Sequence, residues 1–133
     1  MTRILLVEDH EQIWDFLSRR LKRRGYDVVV TTNGQEGVDE ARSKRPDLVL
    51  LDMNLPVMDG WIAAGILKQD PSTTVVPIIA IAAHAMPGDR ERAIAAGCDD
   101  YHARPIAFSS LLDQIEALTG RPAAAGGPIL TST

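Results

Sequence analysis

Three carboxylates stand where a short apolar run gives way to polar chain. Glu8 and Asp9 follow the run ILLV at 4–7, and Asp52 follows LVLL at 48–51. If those runs are neighbouring strands, the three acids converge at one edge of a sheet. Carboxylates a few ångströms apart repel one another, and either raised pKa values or a bound cation relieves the strain. A hard divalent cation suits an all-oxygen donor set, and Mg2+ in particular bridges one or two carboxylates to phosphate while keeping several waters. The residue types therefore point to phosphoryl chemistry. Taken singly, an Asp just after a strand is more simply the N-cap of the next helix. The grouping at two strand ends is what favours a functional cluster.

Such a grouping requires a particular scaffold. Apolar runs of strand length recur at 4–7, 26–30, 48–51 and 75–81, each separated from the next by enough chain for a helix. That alternation predicts βα units around a parallel sheet. The first, third and fourth runs are apolar at nearly every position, as central strands covered on both faces should be. Ile13, Trp14, Leu17 and Leu21 form one stripe of a first helix ended by Gly25. Asn33 with Glu36 resembles a capping box opening a second helix, with Val38 and Ala41 inward and Pro46 barring continuation. A third helix opens at Asp59-Gly60 with Ile62, Ile66 and Leu67 inward, closes near Asp70-Pro71 and contains Gly65. A fourth follows Met86-Pro87-Gly88 and runs to Gly97 with Ala93 and Ile94 buried. A weak edge strand over 100–103 precedes a last helix carrying Phe108, Leu111, Leu112, Ile115 and Leu118 and stopping near Gly120. The count is (βα)5, an α/β doubly wound fold over 1–119, with 120–133 expected as a loose tail. Met1 and that tail suggest a near-complete product with no output domain.

Composition bounds the rest. The chain has 133 residues, 14 Lys+Arg and 18 Asp+Glu, for a net charge of −4. At 45% hydrophobic and 24% charged it reads as a globular domain, not a disordered segment. No apolar run approaches the roughly 20 residues that cross a bilayer, and the first is too short for a signal peptide, so a cytoplasmic protein is expected. The lone Cys98 excludes an internal disulfide or a zinc cluster built on thiolates. His10, His84 and His102 match no zinc-ligand spacing. Arg19, Arg20, Lys22, Arg23 and Arg24 crowd the end of the first helix, where they complement its dipole; their functional reading is a surface for an acidic partner. Nucleic acid is disfavoured by a pI of about 5.3 and the lack of a DNA-reading motif.

Four stretches complete the picture: ILLVEDH at 4–10, PDLVLLDMNLPVMDG at 46–60, PIIAIAAHAM at 77–86 and GCDDYHARPI at 97–106. With them the chain resembles the receiver domain of response regulators in bacterial two-component signalling, in its single-domain, chemotaxis-regulator-like form. The resemblance implies a five-stranded flavodoxin-like sheet in the order 2-1-3-4-5. It implies that Asp52 is the phosphoacceptor, charged from the phosphohistidine of a kinase or phosphotransfer protein. Asp9, Asp52 and the backbone carbonyl of Asn54 would bind Mg2+, with Glu8 assisting through a metal-bound water. Pro56 and Gly60 would shape the following loop, and the bond before Pro105 would be cis. By family analogy His10 and His84 line the pocket mouth, and the first helix docks the phosphodonor. Such a protein assists its own phosphorylation and dephosphorylation without being an enzyme, acts on a downstream protein target, and is a monomer or weak dimer.

Two positions depart from the pattern. Ala82 stands where receivers carry Thr or Ser, and Arg104 where they carry Lys. Tyr101 matches the aromatic that swings inward as the hydroxyl moves; without a hydroxyl it is expected inward in both states, as against the plain reading of a half-buried edge-strand tyrosine. The preferred reading is that Asp52 is still phosphorylated while coupling to the rest of the molecule is weakened or rewired. The rival is a phosphorylation-independent pseudo-receiver, a binding module. A Mg2+-dependent phosphatase is disfavoured because its second acid, two residues after the nucleophile, is here Asn54.

Overall fold

The computed structural model describes residues 1–82 and 86–120; His84 and the expected tail from 121 onward lie outside the described residues. The strands are β1 (Arg3–Val7), β2 (Asp27–Thr31), β3 (Leu48–Asp52), β4 (Ile78–Ala82) and β5 (Asp100–Ala103). The helices are α1 (Glu11–Arg23), α2 (Gly34–Lys44), α3 (Gly60–Gln69), α4 (Asp89–Ala95) and α5 (Phe108–Thr119). All strand pairs are parallel, in the order β2-β1-β3-β4-β5. β1 and β3 are therefore adjacent, with Val7 opposite Leu51, and the acids that follow them share one edge.

Local chemistry explains the boundaries. Asn33 caps α2 by accepting from the Glu36 N–H at 2.9 Å, and Asp59 caps α3 by accepting from the Ile62 N–H at 3.0 Å. Each side-chain oxygen satisfies a helix-start N–H that has no partner inside the helix. Gly120 ends α5 in the left-handed conformation (φ 69°), where a glycine has no Cβ to clash.

The sheet divides the core into two layers. On one side α1 and α5 place Leu17, Leu21, Leu111, Leu112 and Ile115 against Ile4, Leu6, Leu48, Leu50, Ile79 and Ile81. On the other, α2, α3 and α4 place Val38, Ala41, Ala63, Ala64, Leu67 and Ala93 against Leu5, Val7, Val49, Leu51, Ile78 and Ala80. β3 and β4 are buried at every position, consistent with strands covered on both faces.

Three sequence expectations need correction. The fourth apolar run enters the sheet only at Ile78, and Val75 is exposed in the preceding turn, where Thr73 donates to the Leu67 carbonyl at 2.6 Å. Ile62 and Ile94 point to solvent instead of inward. In α3 the small Ala63 and Ala64 with Leu67 face the sheet, and in α4 Ala93 does, because small residues let the helices approach closely. α4 also ends at Ala95, short of Gly97.

Candidate functional site

The site is built where four strands end. Glu8 continues β1 by one hydrogen bond, its N–H donating to the Thr31 carbonyl at 3.0 Å, and its carboxylate is fully buried. Asp9 follows, about one-third exposed. Asp52 is the last residue of β3 and only 1% exposed. Its Oδ1 accepts from the Asn54 N–H at 2.9 Å, while Oδ2 is buried without a hydrogen bond. The loop returns tightly beneath it: the Gly60 N–H donates to the Met53 carbonyl at 3.2 Å, and a Cβ on Gly60 would lie 2.2 Å from the Asp52 carbonyl oxygen. A glycine is therefore required for α3 to start against the end of β3. Pro56 lies exposed in that loop, beside Val57, which holds a left-handed backbone (φ 70°) uncommon for a β-branched residue.

Ala82 closes β4, buried and without a hydroxyl. Its carbonyl accepts the Arg104 N–H at 2.9 Å, and this bond carries β5 into the site. The Arg104-Pro105 bond is cis, as the resemblance implied. The Arg104 guanidinium pairs through Nη2 with Glu8 Oε1 and lies 3.5 Å from Asp52 Oδ2. That pairing was not legible in the sequence, since the partners are 96 residues apart.

His10 lies beside the acids. Its Nδ1 is 3.1 Å from Glu8 Oε2 and 3.3 Å from Asp9 Oδ1, although its side chain is largely exposed. The hydrogen bond to Glu8, with the charge of Asp9, raises its pKa above the ordinary 6.5. Burial pushes the Asp52 carboxyl up to about 6, the neighbouring Glu8 charge adding to it; the Asn54 N–H and Arg104 oppose the rise. Tyr101 is half-buried and packed against the α2–α4 side of the core, its hydroxyl buried without a partner. His102 stands apart from the acids, engaged with Gln114 and the Ala107 N–H.

Ligand atoms of Glu8, Asp9, His10 and Asp52 all lie within 4.8 Å of one another. Two acceptor atoms there, Asp9 Oδ1 and Asp52 Oδ2, are buried without a hydrogen bond, their nearest charged neighbours being His10 Nδ1 at 3.3 Å and Arg104 Nη2 at 3.5 Å. Buried acceptors of this kind are uncommon, and oxygen-rich donor sets of this charge suit Mg2+. The residues therefore fit the cation that the sequence implied.

A doubly wound parallel sheet with a carboxylate cluster at the carboxyl edge, beside the point where strand order reverses, is the class of protein that fold and site define. Residues 4–116 match the model of the response regulator receiver domain, and the chain belongs to that family. It is similar to the polar-differentiation response regulator DivK of Brucella anthropi, 36% identical over 117 residues that span 88% of this chain and 95% of that protein. DivK of Brucella suis is 34% identical over the same length. Among solved structures, the receiver domain of a sensor histidine kinase of Pseudomonas aeruginosa, with a magnesium ion in its active-site cleft, superposes with a TM-score of 0.83 at 35% identity, covering 90% of this chain and 98% of that one. A response regulator of Chloroflexus aurantiacus gives a TM-score of 0.85 at 26% identity, with the same coverage. Receiver domains of this family are two-component signalling proteins and not classical enzymes. No helix among the described residues is long and apolar enough to cross a membrane.

Proposed function

We propose that this chain is a cytoplasmic single-domain response regulator of atypical switch chemistry, which accepts a phosphoryl group on Asp52 and signals through protein contacts. The observation that carries the reading is Asp52 Oδ2: buried, without a hydrogen-bond donor, and facing a guanidinium at 3.5 Å. Oδ1 is tied to the Asn54 N–H, so Oδ2 is the oxygen left to attack. An O–P bond forms at Oδ2 as the N–P bond of the donor phosphohistidine breaks, and the leaving imidazole takes a proton. Bound by Asp9, Asp52 and the Asn54 carbonyl, with Glu8 behind a water, Mg2+ would offset charge on the phosphoryl oxygens. Positioning and charge neutralisation supply most of such a reaction.

The donor is a histidine kinase or a histidine phosphotransfer protein. The exposed Arg19, Arg20, Lys22 and Arg23 on α1 supply a basic surface for its docking. The alternative, a phosphorylation-independent binding module, is favoured by one observation: Ala82 offers no hydroxyl to draw Tyr101, which is already packed inward. Incubation with acetyl phosphate and Mg2+, read by intact mass, separates the two. One added phosphoryl group that is absent from Asp52→Asn is expected; no gain in mass, with partner binding unchanged by Asp52→Asn, would establish the binding module.

A further inference from the structure

Two buried atoms in the site make no hydrogen bond, and they do not satisfy each other: the acceptor Asp52 Oδ2, which has the guanidinium charge of Arg104 at 3.5 Å through Nη2, and the donor Arg104 Nε. The guanidinium is anchored to Glu8 through Nη2, with the Arg104 side chain only 14% exposed. An inward-facing guanidinium N–H without an acceptor is uncommon in folded proteins. A group carrying several oxygens, attached at Asp52 Oδ2, would satisfy both atoms at once. Ala82, at the end of the adjacent strand, supplies only a methyl. The guanidinium is planar and offers Nε and an Nη along one edge, a spacing that matches two oxygens of a phosphoryl group, whereas an ammonium is a single point of charge.

We propose that Arg104 is the phosphoryl-binding group of this protein, and that its forked edge makes two contacts, one of them in place of the hydroxyl that Ala82 lacks. Glu8 is its resting anchor. The inference rests on Asp52 being the acceptor and goes beyond it: the departures at 82 and 104 compensate one another and together preserve the recognition of phosphate.

The test is beryllofluoride binding in the presence of Mg2+, followed by fluorine NMR and calorimetry, for the unaltered protein, Arg104→Lys, Ala82→Thr and the double variant. Mg2+ binding alone is measured in parallel. Arg104→Lys keeps the charge and loses one charge-assisted contact, so beryllofluoride affinity falls about tenfold or more while Mg2+ affinity changes less than about threefold. Ala82→Thr adds little to the unaltered protein and restores most of the loss in the Arg104→Lys background. If Arg104→Lys does not fold, Arg104→Gln is expected to show the same loss. Equal beryllofluoride affinity in unaltered protein and Arg104→Lys, an equal gain from Ala82→Thr in both backgrounds, or a parallel fall in Mg2+ affinity overturns the inference while leaving Asp52 as acceptor. No beryllofluoride binding by the unaltered protein overturns the acceptor reading and this inference with it.

Discussion

Replacing Asp52 by Asn should make the metal-free protein more stable, with a pH dependence that identifies the cause. Asp52 is 1% exposed, and its carboxyl is pushed up to about 6 from an ordinary value of 3.8. Between those values the native state holds a proton that the unfolded chain has released, so stability falls as pH rises through the window and is flat above it. At about 1.4 kcal/mol per pKa unit, keeping this carboxylate ionised costs the native state about 3 kcal/mol at pH 8 and about 1 kcal/mol at pH 4.5. An amide of the same shape carries no such penalty. At about 4 °C per kcal/mol for a chain of this length, Asp52→Asn should melt about 12 °C higher at pH 8 in EDTA and about 4 °C higher at pH 4.5. Mg2+ should close much of the gap, since saturation a hundredfold above Kd adds about 2.7 kcal/mol to whichever protein binds it, and the variant has lost a ligand. Thermal melts by circular dichroism over that pH range, with and without Mg2+, decide it. A variant no more stable than the parent at pH 8, or a gain as large at pH 4.5 as at pH 8, would refute the burial argument.

Other substitutions probe the scaffold. Gly65 lies within α3, and a Cβ there would meet nothing within 4 Å; Gly65→Ala should stabilise by about 0.5–1 kcal/mol in urea unfolding, through helix propensity alone. Gly60→Ala would drive a methyl into the Asp52 carbonyl at 2.2 Å, so a loss of about 1–3 kcal/mol is expected, together with slower phosphorylation by acetyl phosphate. His102 is held as one tautomer: Nε2 accepts the Ala107 N–H at 3.1 Å, so Nδ1 donates to Gln114 Oε1 at 2.7 Å. His102→Ala leaves that N–H, at the start of α5, and the side-chain amide oxygen of Gln114, farther along the helix, without these partners, and should cost about 1–3 kcal/mol by chemical denaturation.

Much of the architecture was legible in residue pattern. Strand-length apolar runs, the Asn33 and Asp59 caps and the stops at Gly25 and Gly120 are local signals, and each acts within a few residues of the feature it creates. The acids were legible for the same reason: Glu8, Asp9 and Asp52 are conspicuous where an apolar strand ends. The sheet order was implied by the resemblance and could not be read from periodicity, because parallel neighbours are joined by crossovers that leave no local mark.

Helix facing was harder to read. Ile62 and Ile94 satisfy an inward stripe as well as their alanine neighbours do, and the distance available between helix and sheet selects the alanines. The hardest part was the electrostatic pairing inside the site. Nothing near Arg104 announces Glu8, and nothing near His10 says which of two carboxylates it meets. Residue types and local spacing therefore settled which strands and helices form and which carboxylates end them. The partner of each charge was settled by folding, because an ion pair forms between whichever opposite charges the packed backbone brings within reach, however far apart they lie along the chain.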